Sequence, residues 1–188
     1  MDDDEIVFWL DHLHEQSADG QASREGIRAV WHDQPDRLLT ALREARYVIR
    51  CRAADALGMQ RDPAAVPALL DALHDEVDSV RGHAANALGL IQDVRATDAL
   101  ITMLADPDVW LRWAAAEALG TLGNPSATIP LLNAWLNADH EALLIVIAEA
   151  FRRMGDAVKP SLVQAQNNPD ENIQRASAYM LGQLGAVL

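Results

Sequence analysis

"RGHAANALGLI", residues 81–91, has a counterpart 31 residues upstream, "RCRAADALGMQ" from Arg50, and another 31 residues downstream, "RWAAAEALGTL" from Arg112. Two looser copies follow, "LIVIAEAFRRMG" from Leu144 and "QRASAYMLGQLG" from Gln174, at spacings of 32 and 30. A short, regular period marks a repeat array, in which each unit is one supersecondary element that buries its apolar face only against its neighbours. In the second copy Val80, Ala84, Ala87, Leu88 and Ile91 fall on one helical stripe and face the core. Ala85 and Gly89 are small enough to admit a neighbouring helix.

Between the copies lies a second helical pattern. "DPAAVPALLDALHD" carries Val66, Leu69, Leu70 and Leu73 at helical spacing, and "NPSATIPLLNAWLN" carries Ile129, Leu131, Leu132 and Leu136. Proline or a small polar residue introduces each of them. Acidic turns, "DEVDSVR" and "DPDVWLR", introduce the Ala-Leu-Gly helices, where carboxylates accept from free helix N–H groups. The expected fold is all-α, an α-solenoid of about five helix pairs. The units are expected at about 35–62, 63–93, 94–124, 125–156 and 157–188, one continuous domain over 35–188. Residues 1–34 are expected to form an N-terminal helical cap from "DEIVFWLDHLHEQ" and "SREGIRAVWHDQ", with Phe8, Trp9, Ile27, Val30 and Trp31 closing the first repeat. The last stretch, "QLGAVL", is still apolar and either tucks back or meets a partner.

Composition narrows the function classes. The 188 residues are 50% hydrophobic and only 5% aromatic, and the formal charge is −13. That field repels a phosphate backbone and an anionic lipid surface, so neither nucleic acid nor membrane is an expected partner. One cysteine, Cys51, excludes an intramolecular disulfide and a cysteine-based zinc site. The acidic start "MDDDEIVFWL" is unlike a secretory signal, and no apolar run is long enough to span a bilayer. A cytoplasmic protein is expected.

The run V-R-x-x-A-A-x-A-L-G, formed by Val80, Arg81, Ala84, Ala85, Ala87, Leu88 and Gly89 after Asp78, resembles the short HEAT-like repeat of the phycobilisome-lyase type. The resemblance covers roughly residues 35–188 and speaks for fold more than for function. Arg50, Arg81 and Arg112 hold one position in three successive units. They form either a phosphate-binding ladder or an internal one in which each arginine pairs with a turn aspartate such as Asp75 or Asp106. The resemblance implies the internal ladder, and the acidic turns are adjacent. Leu144 and Gln174 replace the arginine, so the last two units are expected to stack less rigidly.

Each Ala-Leu-Gly helix leaves one strip for the concave side. In order the strips are Val48, Cys51, Arg52, Asp55 and Met59; Ser79, Gly82, His83, Asn86 and Leu90; Trp110, Trp113, Ala114, Glu117 and Thr121; Ala142, Ile145, Val146, Glu149 and Arg153; and Asn172, Arg175, Ala176, Tyr179 and Gln183. Trp110 aligns with Val48, Ser79, Ala142 and Asn172, and Trp113 with Cys51, Gly82, Ile145 and Arg175, so neither position demands an aromatic for folding. They either fill a gap over Ser79 and Gly82 or serve a contact surface, with Glu117, Glu149 and Asp55 in one carboxylate column and Ile145 as an apolar wall. The partner-binding residues expected from this are Trp110, Trp113, Glu117, His83, Asn86, Ile145, Glu149, Asp55, Arg52 and Tyr179. A protein or peptide with basic and aromatic or apolar anchors suits them. Trp135, on a first helix, is expected in the core.

Enzymatic signatures are sparse. Deoxyhypusine hydroxylase, a relative of the same repeat class, holds iron with converging His-Glu pairs, whereas the pairs here are His14-Glu15 and His140-Glu141 alone. His12, His14 and Glu15 do not share one helix face. There is no G-x-S-x-G, no glycine-rich phosphate loop and no Cys-His arrangement. Inner-surface tryptophans with a carboxylate, as in DNA glycosylases of similar fold, would need a basic cleft. No metal, cofactor or catalytic residue is expected. The expected function is a non-enzymatic protein-binding scaffold or adaptor. The alternative, implied by the resemblance, is a bilin-lyase-like, tetrapyrrole-handling protein in which the tryptophans stack on the chromophore and Arg52 or Arg175 pairs with its propionates.

Overall fold

A computed structural model of the chain describes residues 8, 10, 12, 18–33, 35–44 and 46–185. The expected helix over 4–16, with Trp9, His14 and Glu15, falls largely outside them, as do the side chain of Trp31 and residues 186–188. Every described element is helical: α1 (Ala18–Asp33), α2 (Pro35–Ala41), α3 (Tyr47–Gln60), α4 (Val66–Ala72), α5 (Asp78–Ile91), α6 (Thr97–Met103), α7 (Val109–Leu122), α8 (Thr128–Leu136), α9 (Glu141–Met154), α10 (Lys159–Ala165) and α11 (Glu171–Gly185). From α2 onward a short helix alternates with a long one. The chain divides into two compact units, Met1–Ile91 and Gln92–Leu188.

One turn device recurs between hairpins. The side chains of Asp62, Asp93 and Asn124 accept from the backbone N–H of Ala64, Arg95 and Ser126 at 2.9, 2.9 and 3.1 Å, nucleating the 3₁₀ turns Pro63–Ala65, Val94–Ala96 and Pro125–Ala127. The residue before each is left-handed: Arg61 at φ 54°, Gln92 at φ 59° and Gly123 at φ 74°. Only the third is glycine, so the first two positions bear a steric cost of about 1 kcal/mol each. Inside three of the hairpins a second Asx turn precedes the long helix. Asp75, Asp106 and Asn168 accept from the N–H of Val77, Asp108 and Asp170.

Arg50, Arg81 and Arg112 complete that hairpin. Each donates to the carbonyl six residues earlier, Glu44, Asp75 and Asp106, at 2.9, 3.1 and 2.9 Å, tying the turn to its helix. Their carboxylate partners differ. Arg50, which is buried, takes both oxygens of Asp75 at 2.7 and 2.8 Å. Arg81 pairs with Asp78 on its own helix, and Arg112 with Asp139 rather than Asp106. Gln174 keeps the carbonyl bond, to Asn168 at 2.7 Å, so the device survives where the charge does not. In the Asp75 pair the arginine hydrogen bonds hold the carboxyl below the usual carboxylate range, against the opposing effect of burial.

In the first unit α1 lies on α2 and α3, and α3 lies along α5. Leu57, Leu69 and Leu88 are fully buried in its core, and Ile27 and Val30 from the expected cap are buried too. Each such leucine contributes about 1.5–3 kcal/mol of burial. Gly58 lets the long helices meet: a Cβ there would sit 2.7 Å from the Cα of Ala87. In the second unit α7 lies along α9 in the same way, with Gly120 against Ala150. The last hairpin departs from this. The connection after α9 is a four-residue turn, Gly155–Val158, without the Asx cap used earlier. Helix α11 packs on its partner α10 and then on α8 more than on α9.

Candidate functional site

The strips expected on the long helices are narrower in the structure than in the sequence. Cys51 and Gly82, at the repeat position of Trp113 and Ile145, are buried, and so are Ala114, Val146 and Ala176 one residue further on. Burial, with Asp55 adding to it, pushes the Cys51 thiol up, away from the thiolate a nucleophile requires. What remains of each strip is different in the two units.

In the first unit α3 and α5 present half-buried Arg52, Asp55, His83 and Asn86. His83 Nδ1 lies 2.7 Å from Asp55 Oδ1, joining the two helices. Asn86 Oδ1 is buried with no hydrogen-bond partner. The Asp55 carboxylate is therefore already engaged within the protein.

In the second unit α7 presents Trp110, 40% exposed, with Trp113 half-buried beside it. Asp108 caps this helix, accepting from the N–H of Trp110 at 2.7 Å, and so fixes the position from which the first tryptophan projects. The adjoining face of α9 presents Ile145, 59% exposed, and Glu149. Glu117 and Glu149 are not free carboxylates. Arg153 reaches from α9 to Glu117 Oε1 at 3.4 Å and Thr121 Oγ1 at 3.2 Å, and lies 3.6 Å from Glu149 Oε1. Arg152 holds the other Glu149 oxygen at 2.8 Å. The strip thus has an apolar half, Trp110 with Ile145, and a charge-balanced half where the sequence alone suggests an acidic one.

Tyr179 and Trp135 also stand differently from expectation. Their rings stack with centroids 5.5 Å apart, Tyr179 remaining 51% exposed, so Tyr179 meets a first helix instead of the column of Glu149. The connection before the last hairpin, residues 155–158, is one residue shorter than the earlier ones, and the spacing of 30 before Gln174 registers it in the sequence. Leu136, expected in the core, is exposed at the end of α8. Among the described residues no group of three or more His, Cys, Asp or Glu side chains is placed to hold a metal, and no helix is long and apolar enough to cross a membrane.

Comparison with known proteins gives the architecture its family. The sequence matches HEAT repeats over residues 35–120 and 78–152. No curated protein has a sequence that matches this chain. Among solved structures, a chain of the complex of CpcE and CpcF of phycocyanin lyase from Nostoc sp. PCC7120 is 28% identical with a TM-score of 0.60, over 81% of this chain. This chain spans 65% of that one, just under two thirds of its length. The HEAT-like repeats protein of the archaeon Thermococcus onnurineus NA1 is 14% identical with a TM-score of 0.50, over 99% of this chain and 89% of that one. A designed armadillo repeat protein in complex with the peptide (KR)4 is 15% identical with a TM-score of 0.55, over 96% and 99%. The repeated hairpins, their Ala-Leu-Gly packing and the match over residues 35–152 make this chain a member of the HEAT-repeat family.

Proposed function

We propose that the protein is a non-enzymatic scaffold that binds a protein segment on the long-helix strip of its second unit. One observation carries this reading: Trp110 and Ile145 stand exposed on adjacent long helices, at repeat positions where most other units carry small or polar residues. A large apolar side chain left partly in water, at a position that other repeats fill with small or polar residues, is a candidate binding anchor. Armadillo-type repeats support peptide binding in the designed protein complexed with (KR)4. The test is affinity capture from a host lysate with wild type and a Trp110→Ala/Trp113→Ala variant shown by circular dichroism to be folded. A specific partner retained by wild type and lost by the variant is the expected result. An unchanged partner set overturns the assignment of this strip.

A second reading rests on the 28% identity to a chain of the phycocyanin lyase complex. There the protein handles an open-chain tetrapyrrole, with Trp110 and Trp113 as the stacking surface. A visible absorption change on mixing with such a pigment, abolished by the same double substitution, would favour it over the scaffold.

A further inference from the structure

Arg153 bridges the carboxylates of two long helices. It arises on α9, crosses to α7 and lies against the carboxylates of both helices, Glu117 at 3.4 Å and Glu149 at 3.6 Å. These are long contacts between side chains 43%, 29% and 38% exposed, the geometry of a weak, solvent-screened ion pair. A guanidinium or ammonium arriving from outside in a shorter, better aligned geometry displaces such a contact at small cost. The formal charge of −13 draws basic segments and repels acidic ones, which decides the sign of the partner.

We propose, building on the scaffold reading above, that the α7/α9 strip takes an extended segment with an apolar anchor and a nearby Lys or Arg, and that Arg153 is its built-in competitor. The helices set the spacing. Glu117 lies seven residues beyond Trp110, and Glu149 four beyond Ile145, rises of roughly 10 and 6 Å at about 1.5 Å per residue. An extended chain covers that in two or three residues at about 3.3 Å each. The anchor fits the apolar half, and the basic group reaches Glu117 and Glu149 as Arg153 swings out.

The test uses the full chain and a fluorescein-labelled probe, Arg-Ser-Ser-Trp-Ser-Ser-Arg, which offers a basic residue three positions from the anchor in either direction. Fluorescence polarisation at low salt is expected to show Arg153→Gln binding the probe roughly two- to fivefold more tightly than wild type, the affinity equivalent of one exposed ion pair. Glu117→Gln is expected to weaken binding, and a probe with Glu for both Arg to lose the gain. Three outcomes overturn the proposal: Arg153→Gln binding no more tightly than wild type, the Glu probe binding wild type better than the Arg probe, or no binding of the Arg probe by Arg153→Gln. Each leaves the Trp110-dependent capture to stand or fall on its own result, so failure here is distinguishable from failure of the scaffold reading.

Discussion

Replacing Gly120 by alanine pits two effects of opposite sign against each other. Alanine is the better helix former, and in an interior turn the change alone stabilises by about 0.5–1 kcal/mol. Against that, the new Cβ would lie 2.5 Å from the Cα of Ala150 and 2.7 Å from its Cβ, where ordinary packing distances begin near 3.4 Å. The nearest atom is backbone, so no rotamer change relieves it, and α7 and α9 must separate by roughly 0.9 Å to restore that distance. Overpacking of this kind costs about 1–3 kcal/mol, giving a net loss of up to about 2.5 kcal/mol. Gly182 supplies the control, since it occupies the equivalent position in the last long helix of the same unit and nothing lies within 4 Å of its added Cβ. Gly182→Ala is expected to gain up to about 1 kcal/mol. Urea unfolding followed by far-ultraviolet circular dichroism reads both, and the difference between the variants isolates the packing effect because the propensity gain is common. Adding Ala150→Gly to Gly120→Ala is expected to restore little, because the backbone of residue 150 still blocks the new methyl group. If the two alanine variants match each other, or if Gly120→Ala is the more stable, the close approach of α7 and α9 is refuted.

Three further outcomes follow from the same geometry. Asp75 has a folded pKa below its ordinary value of 3.8, so the stability it adds is present above that value and is lost as pH falls through the lower one. Wild type is therefore expected to exceed Asp75→Asn at neutral pH, with the gap in urea midpoint closing below about pH 4; a gap independent of pH would refute the charge-based account. Gln174→Ala removes the donor to the Asn168 carbonyl and is expected to cost about 0.5–1.5 kcal/mol, while Gln174→Arg, restoring the residue of earlier units, should cost less in the same unfolding assay. A Trp135/Tyr179 double-mutant cycle is expected to return a coupling of about 0.5–1.5 kcal/mol with loss of near-ultraviolet dichroism in each single variant; zero coupling would place the two rings apart.

The repeat was legible because its causes are local and recur. Asp62, Asp93 and Asn124 each sit two residues before the N–H they cap, and Gly58 and Gly120 each sit in an Ala-Leu-Gly triplet that brings two helices together. A period detects such devices without knowledge of the tertiary structure. It was less informative about the arginines, since a carbonyl six residues away and a carboxylate more than twenty away satisfy the same side chain. Arg50 and Arg112 both bond at range, while Arg81 turns to Asp78 on its own helix.

The candidate strip was half legible for a related reason. Periodicity assigns a direction to each side chain, and Trp110 and Ile145, which it places on the outer strip, are exposed. It does not assign partners, so it counted Glu117 and Glu149 as free acid and overlooked that Arg153, one turn beyond Glu149 on the same helix, reaches both. Nor does it say where a helix leans: one residue fewer before Gln174 is visible as a number, but the packing of α11 on α8 and the stacking of Tyr179 on Trp135 are not. Helix face is a property of the sequence within one element, whereas charge compensation and the lean of the last hairpin are properties of pairs of elements. The fold therefore reads from the repeats, while the compensation of Glu117 and Glu149 by Arg153 reads only from the packed pair of helices.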